Sequence, residues 1–224
     1  DALAGQAARK GGDSVFSPPP ARSLAALWRL WAILRAAALA GASDREAYED
    51  PDQPVGPKGP ERGPTPVVAL DCEMVGCGAA GLDSALARAC VVNADGHVLL
   101  DEFARPSRRI TDYRTPWSGV READLRDAAS EAEVSGRVKA LVEGRVVVGH
   151  ALVNDFRALR LKHPPHMVRD TARYPPLCRW NGKPRRLKHL ASHFLRKRIQ
   201  CGEHHPAVDA RAALYIYQQL AEPW

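Results

Sequence analysis

The 224-residue chain is 45% hydrophobic and 26% charged, the balance of an ordinary soluble globular protein with room for one core and a tail. Its net charge of +6 is uneven: residues 1–66 hold 8 Lys/Arg against 8 Asp/Glu, whereas residues 67–224 hold 24 against 18. A basic folded part points to a polyanionic partner, of which nucleic acid is the commonest.

Residues 24–43, "LAALWRLWAILRAAALAGAS", read as an amphipathic helix with Arg22, Arg29 and Arg35 near one side. Arg29 and Arg35 interrupt the apolar run, which argues against a membrane span. An organellar transit peptide is one alternative, because residues 1–43 contain only Asp1 and Asp13 as acids. A helix that packs on the domain is another. Residues 44–65 are acidic, then rich in Pro and Gly, and read as a linker, extended or disordered. The folded domain is expected over residues 66–224, behind this helical and disordered N-terminal extension.

Within the domain, Val67–Glu73 is strand-like. Leu86–Val92 and His97–Phe103 flank "NADG", whose Asp-Gly signals a hairpin. Arg121–Gly144 reads as helical with a break near Gly136. Arg145–His150 is a short β-branched strand leading into a helix at Ala151–His163, and Leu187–Lys197 and Pro206–Leu220 are further helices. Antiparallel strands followed by β-α alternation give an α/β domain with a mixed sheet flanked by helices. The five cysteines (Cys72, Cys77, Cys90, Cys178, Cys201) include no C-x-x-C pair, and the odd count argues for reduced thiols in an intracellular protein.

The chemistry begins at "VVALDCE". Alternation puts Asp71 and Glu73 on one face, with Val67 and Ala69 behind them, while Val68, Leu70 and Cys72 fill the other. A strand apolar on both faces is central, so two acids stand at the end of a buried strand. Alone, D-x-E is a weak motif, equally read as two solvated acids. Two further acids change the balance. Asp155 shares a helix face with Leu152 and Leu159, and Asp209 aligns with Ala213, Ile216 and Leu220. An acid on a core-facing stripe needs an arginine, hydrogen bonds or a metal. Carboxylates are the ligands that Mg²⁺ and Mn²⁺ prefer, and two such ions about 4 Å apart would let four acids converge without mutual repulsion.

"ALDCEMVGCG", "TDYRTPWSGV", "VVVGHALVNDFRAL", "RDT", "RLKHLA" and "HHPAVDARAALYIY" occur in that order. Together they resemble the DEDD exonuclease superfamily, and within it the RNA exonuclease 4 and interferon-stimulated exonuclease branch, over residues 66–220. The resemblance implies a ribonuclease H-like fold and makes Asp71, Glu73, Asp155 and Asp209 ligands of two Mg²⁺ or Mn²⁺ ions. The His branch carries H-x-x-x-x-D, and counting back from Asp209 gives His204. By resemblance His204 is the general base, a task suited to imidazole near neutral pH; His205 is the competing neighbour. The family often has Glu before the last Asp, where this chain has Val208. The implied activity is metal-dependent 3′→5′ removal of nucleoside 5′-monophosphates from single-stranded RNA, with single-stranded DNA a second substrate. A monomer is expected, with a role in RNA processing or ribosome biogenesis. The rival readings are a DNA-proofreading exonuclease and a catalytically silent nucleic-acid-binding module.

Met74, by analogy, lies beside the terminal nucleotide, against a bland reading as core. Tyr113 and Arg114 offer a stacking ring and a phosphate partner; Trp117 is expected to pack. Asp170 is expected to support a strand end, and His150, His189 and His193 to be structural. From Arg179 to Gln200 there are eight Lys/Arg and no acids, a phosphate-tracking surface, a nuclear import signal or a solvated face. A nuclear or nucleolar location follows from the resemblance and this run, with an organelle as the alternative if the N-terminal segment is a transit peptide.

Overall fold

The computed structural model describes residues 55–221 and 224; the helix expected at residues 24–43 lies outside the described residues. The chain forms β1 (Val67–Cys77), β2 (Asp83–Asn93), β3 (Val98–Arg105) and β4 (Ile110–Asp112), then two one-turn helices, α1 (Thr115–Ser118) and α2 (Glu122–Leu125). Next come β5 (Ala129–Ser130), α3 (Glu131–Val142), β6 (Val146–Gly149), α4 (Val153–Ala158), β7 (Val168–Asp170), α5 (Leu187–Leu190) and α6 (Pro206–Gln219). The strands make one mixed sheet in the order β5-β3-β2-β1-β6-β7, with β4 also paired to β1. β1 is antiparallel to β2 and parallel to β6. The expected α/β class with a mixed sheet and flanking helices is the one observed.

β1 is central because both its faces are apolar. Val68, Leu70 and Cys72 join Leu86, Val91, Val134, Val138 and Leu152 in a core between the sheet, α3 and α4. The opposite face is covered by α6, whose Ala210, Ala213, Leu214 and Ile216 are buried. β6 pairs only with Val67–Ala69 of β1, so the sheet opens just where Asp71 and Glu73 follow. The acids were expected at the end of the strand, but β1 runs on to Cys77, paired with β2 and β4; they sit inside it, just past the point where its parallel pairing with β6 stops and the sheet opens a crevice. Gly149 ends β6 there; a Cβ on it would lie 2.8 Å from the Leu70 carbonyl oxygen, so only glycine permits this approach.

Three details differ from the expectations. The helical stretch after Arg121 breaks at residues 126–130 rather than at Gly136, which lies inside α3. Ser130 caps α3 in a capping box with Glu133, and this polar pair fixes the start more firmly than glycine disturbs the interior. The helix expected over Ala151–His163 is only α4, closed by Arg160 in a left-handed conformation (φ 51°). Residues 55–65 carry no helix or strand, but they are held against the domain. Asn93 donates its side-chain amide to the Glu61 and Gly63 carbonyls (2.7 and 2.9 Å), and Tyr215 donates its hydroxyl to Gly56.

Candidate active site

Each acid is delivered by an element that the core holds rigid. Asp71 and Glu73 come from β1, Asp155 from the first turn of α4 and Asp209 from the first turn of α6. Glu73, Asp155 and Asp209 are 7, 4 and 3% exposed, and Asp71 is half-buried. Asp155 is tied to the middle of β1, its Oδ1 accepting the Cys72 amide hydrogen at 2.9 Å. One oxygen each of Glu73 and Asp209 and one ring nitrogen of His204 lie within 4.8 Å of one another. Asp71 and Asp155 are near enough for the acids' charges to act on one another, but among the described residues only Glu73, Asp209 and His204 bring ligand atoms that close together.

The electrostatics of this cluster are those of a cation site. Burial pushes the Asp71 carboxyl far above the carboxylate range, and the charges of Asp209, Asp155 and Glu73 push the same way. Burial, then Asp209, raises Glu73 to about 8 in spite of Arg88. Burial raises Asp155 to about 7, against hydrogen bonds from its own backbone and from Cys72. Burial raises Asp209 to about 6, against a hydrogen bond from Gln200. Glu73 Oε1 and Asp209 Oδ1 are buried without any hydrogen-bond partner. Buried acceptors left unpaired cost stability, and an all-oxygen donor set of this kind fits a hard divalent cation. The residues present therefore fit a metal ion.

His204 stands at the edge of this cluster, its Nδ1 3.8 Å from Asp209 Oδ2. Burial, then the nearby Lys188 charge, lowers its pKa below the usual 6.5, so the ring is neutral at pH 7. Its loop is fixed at two points: His204 donates its backbone N–H to the Trp117 carbonyl (2.8 Å), and Glu203 pairs with Arg121 (2.5 Å). His205 is exposed and stands at the N-cap position of α6 without a side-chain cap hydrogen bond. Partial burial, then the Arg88 charge, lowers its pKa, with Asp101 acting the other way. Of the two, His204 is the one brought to the acids.

Residues 68–217 match the Exonuclease family (RNase T). The chain belongs to the exonuclease family. It is 43% identical over 156 residues to RNA exonuclease 4 of Debaryomyces hansenii, covering 69% of this chain and 57% of that protein. It is 41% identical to the human interferon-stimulated 20 kDa exonuclease-like 2, over 72% and 47% of the two chains. It is 43% identical to the rat apoptosis-enhancing nuclease, over 77% and 54%. The chain spans about half the length of these curated relatives. Among solved structures it resembles the pseudoubiquitin hydrolase–RNA exonuclease module of Saccharomyces cerevisiae Pan2 in complex with A7 RNA. That likeness has a TM-score of 0.62 and 27% identity, over 79% of this chain and 30% of that one. The family and the branch read from the ordered motifs are therefore the ones found.

In this exonuclease domain two cavities meet at Trp117. One, of about 460 Å³, is walled by Glu73, Met74, Ser84, Arg114, Asn154 and Arg157. Met74 and Arg114 thus stand where a nucleotide beside Glu73 would be felt. Arg114 is itself braced by donating to Ser84 Oγ (2.9 Å) and the Gly81 carbonyl (2.7 Å). The other, of about 540 Å³, is reached by His150, Arg186, Lys188, Gln200, Cys201 and His204. Tyr113 and Trp117 exchange their expected places. Tyr113 is half-buried and packs against Val75, Ala85 and Val120, whereas Trp117 is 64% exposed and lines both cavities. The cause is α1, which is a single turn with left-handed residues at both ends (Arg114, φ 51°; Gly119, φ 67°) and turns the Trp117 ring outward. Asp170 supports a strand end as expected, accepting the backbone N–H groups of Ala151, Leu152 and Ala172.

Sequence reasoning missed Gln200, whose side-chain amide donates to Asp209 Oδ2 at 2.8 Å. It lies across a loop from Asp209, and no periodicity links the two. It also missed Arg88, which faces Glu73 across the β1–β2 ladder and is held bidentate by Asp101 at 2.7 and 2.9 Å. The alternation of β2 and β3 would have paired Arg88 and Asp101 only once their register was known.

Proposed function

We propose that this chain is a metal-dependent 3′→5′ exoribonuclease that releases nucleoside 5′-monophosphates from single-stranded RNA, with single-stranded DNA as a second substrate. The observation that carries the reading is the close approach of Glu73 from β1 and Asp209 from α6, both with unpartnered buried oxygens, to a neutral histidine, with the charges of Asp71 and Asp155 felt beside them. RNA as the substrate is supported by the names of the relatives and by the RNA held by the Pan2 module.

Asp71, Glu73, Asp155 and Asp209 would hold two Mg²⁺ or Mn²⁺ ions. Such ions supply charge neutralisation of the phosphodiester and stabilise the attacking and leaving oxygens. The chain's own residues do the rest. Neutral His204 accepts a proton from the attacking water, whose oxygen bonds to phosphorus as the bond to the upstream 3′-oxygen breaks. That oxygen leaves with a proton as a new 3′-hydroxyl, and the terminal nucleotide departs as its 5′-monophosphate. Met74 packs beside Glu73 on the terminal nucleoside, and Arg114 and Arg157 supply cations to the same cavity. A nuclear or nucleolar workplace belongs to the same reading, supported by the basic stretch Lys183–Arg186, all of it exposed. Among the described residues no helix is long and apolar enough to cross a membrane.

The test is degradation of matched 5′-labelled RNA and DNA strands with Mg²⁺ or Mn²⁺, by the wild type and Asp71→Asn. A ladder shortening one nucleotide at a time from the 3′ end, faster on RNA and absent in the variant, is expected. Internal cuts, 3′-phosphate products or an active Asp71→Asn enzyme would refute the assignment. Strand binding without any product would favour the silent module.

A further inference from the structure

The two cavities that meet at Trp117 differ in what lies beyond them. The Met74 cavity is lined by residues of β1, β2, α1 and α4. The His204 cavity leads through Arg186 and Lys188 onto the loop that precedes α5. That loop is a built turn rather than a loose one. Arg179 donates its N–H to the Lys183 carbonyl (2.9 Å), Gly182 to Arg179 (2.8 Å), and Arg185 Nε to Cys178 (3.3 Å). At its tip Trp180 is 97% exposed. A rigid turn that presents an indole to solvent gains nothing for the core from that ring. Arg179, Lys183, Arg185 and Arg186 surround it, all exposed, with no acid anywhere from Arg179 to Gln200. Among the described residues none of these four arginines and lysines is within ion-pair range of a carboxylate.

We propose that the Cys178–Arg186 turn, continuous with the His204 cavity, is the binding track for the part of a single strand that lies 5′ of the scissile bond. Its cations contact successive phosphates, and Trp180 stacks on a base. Charge complementarity and continuity with the active site name the occupant: a polyanion entering the catalytic cluster meets these cations and no acid on the way. Aromatic rings interleaved with cations are the pattern that tracks single strands without reading sequence. The inference rests on the exonuclease reading for its direction, but the surface itself binds whether or not the chain hydrolyses anything.

Two measurements separate those possibilities. The first is anisotropy binding of a labelled RNA of about twelve nucleotides to Asp71→Asn protein, alone and combined with Arg179→Ala/Lys183→Ala/Arg185→Ala. Three lost phosphate contacts should flatten the slope of log affinity against log salt by about 2. Trp180→Ala on the same background should weaken binding about tenfold at every salt concentration, with Trp180→Phe recovering most of it. The second is the ratio of kcat/KM for the long strand to that for a dinucleotide, in otherwise wild-type protein. Both loop variants should lower this ratio at least about fivefold. An unchanged salt slope together with an unchanged length ratio would overturn the proposal. Circular dichroism and the melting temperature check that these exposed substitutions leave the fold intact. If the wild type hydrolyses neither substrate, the nuclease reading fails, and the binding measurement still decides the track.

Discussion

Glu73→Gln tests the claim that the acid cluster costs the protein stability until a cation arrives. In the metal-free protein Glu73 titrates at about 8 instead of its ordinary 4.5, raised by burial and then by Asp209. The folded state thus holds this proton more tightly than the unfolded chain. The stabilisation is complete below about pH 4.5 and is lost as pH rises through 8. At pH 7 the loss from this one group reaches about 3 kcal/mol at most. Glutamine keeps the shape and removes the charge, and its amide offers a donor to the unpartnered oxygen of Asp209. In chelator, melting of the variant should therefore exceed the wild type by about 5 °C near pH 8 and match it near pH 4. Saturating Mn²⁺, at about 100 times its Kd, should stabilise the wild type by about 2.7 kcal/mol and the variant far less. The variant should be catalytically inert. Calorimetric melting across this pH range, with and without Mn²⁺, reads all of these. A variant no more stable than the wild type near pH 8 without metal, or equally stabilised by Mn²⁺, would refute the reasoning.

His204→Ala should lower kcat about 10²- to 10⁴-fold and remove the acidic limb of the rate–pH profile, which in the wild type lies below pH 6.5 because His204 must lose its proton to act. His205→Ala should stay within a few-fold of the wild type in the same assay. Gln200→Ala removes the amide that orients Asp209, and titration calorimetry should show Mn²⁺ bound about tenfold more weakly, while the metal-free melting temperature falls by only a few degrees for the one lost hydrogen bond. Asp170→Ala strands three backbone N–H groups and should lose about 3 kcal/mol or more in urea unfolding. The part of Asp170→Ala that remains folded should still bind Mn²⁺, because Asp170 is a support and not a ligand.

The acids were legible because their neighbours are apolar. Asp155 and Asp209 each interrupt a buried helical stripe, and Asp71 and Glu73 interrupt a strand with two apolar faces, so burial could be read from periodicity alone, although the strand's continuation to Cys77 could not. The strands of the β2–β3 hairpin were legible for the same reason. What periodicity does not carry was lost. α1 is a single four-residue turn, too short to show a repeat; the helices expected at Ala151–His163 and Leu187–Lys197 are present, but their ends are set by left-handed Arg160 and, after α5 passes into a π-helical turn at Ala191–Leu195, by left-handed Arg196. The places of Tyr113 and Trp117 depend on one such turn and were therefore exchanged. Gln200 and the Arg88–Asp101 pair depend on contacts made across loops or between strands, which local pattern does not encode. Residues 55–65 were read as linker on composition, but their backbone is bonded by Asn93 and Tyr215, residues far along the chain.

The division of labour within the site follows from how each part is held. Three or more carboxylates can be kept at ligand distance only if their backbones cannot relax away from one another. That explains why all four come from a central strand and the first turns of two packed helices. β1 adds a register shift at Glu73/Met74, where Ala87 is the extra residue on β2. The shift keeps Leu86 and Met74 on the α3–α4 side of the sheet and leaves Ala87 beneath Val75 on the acid side. Without it, the β2 residues that pair beyond Glu73 would present the wrong faces to the two cores. His204 is held differently: its loop is fixed by one backbone hydrogen bond to Trp117 and one exposed ion pair, contacts worth far less than a packed helix. Trp117, whose carbonyl accepts that hydrogen bond, also lines both cavities, so the residue that anchors the His204 loop is the one the two cavities share.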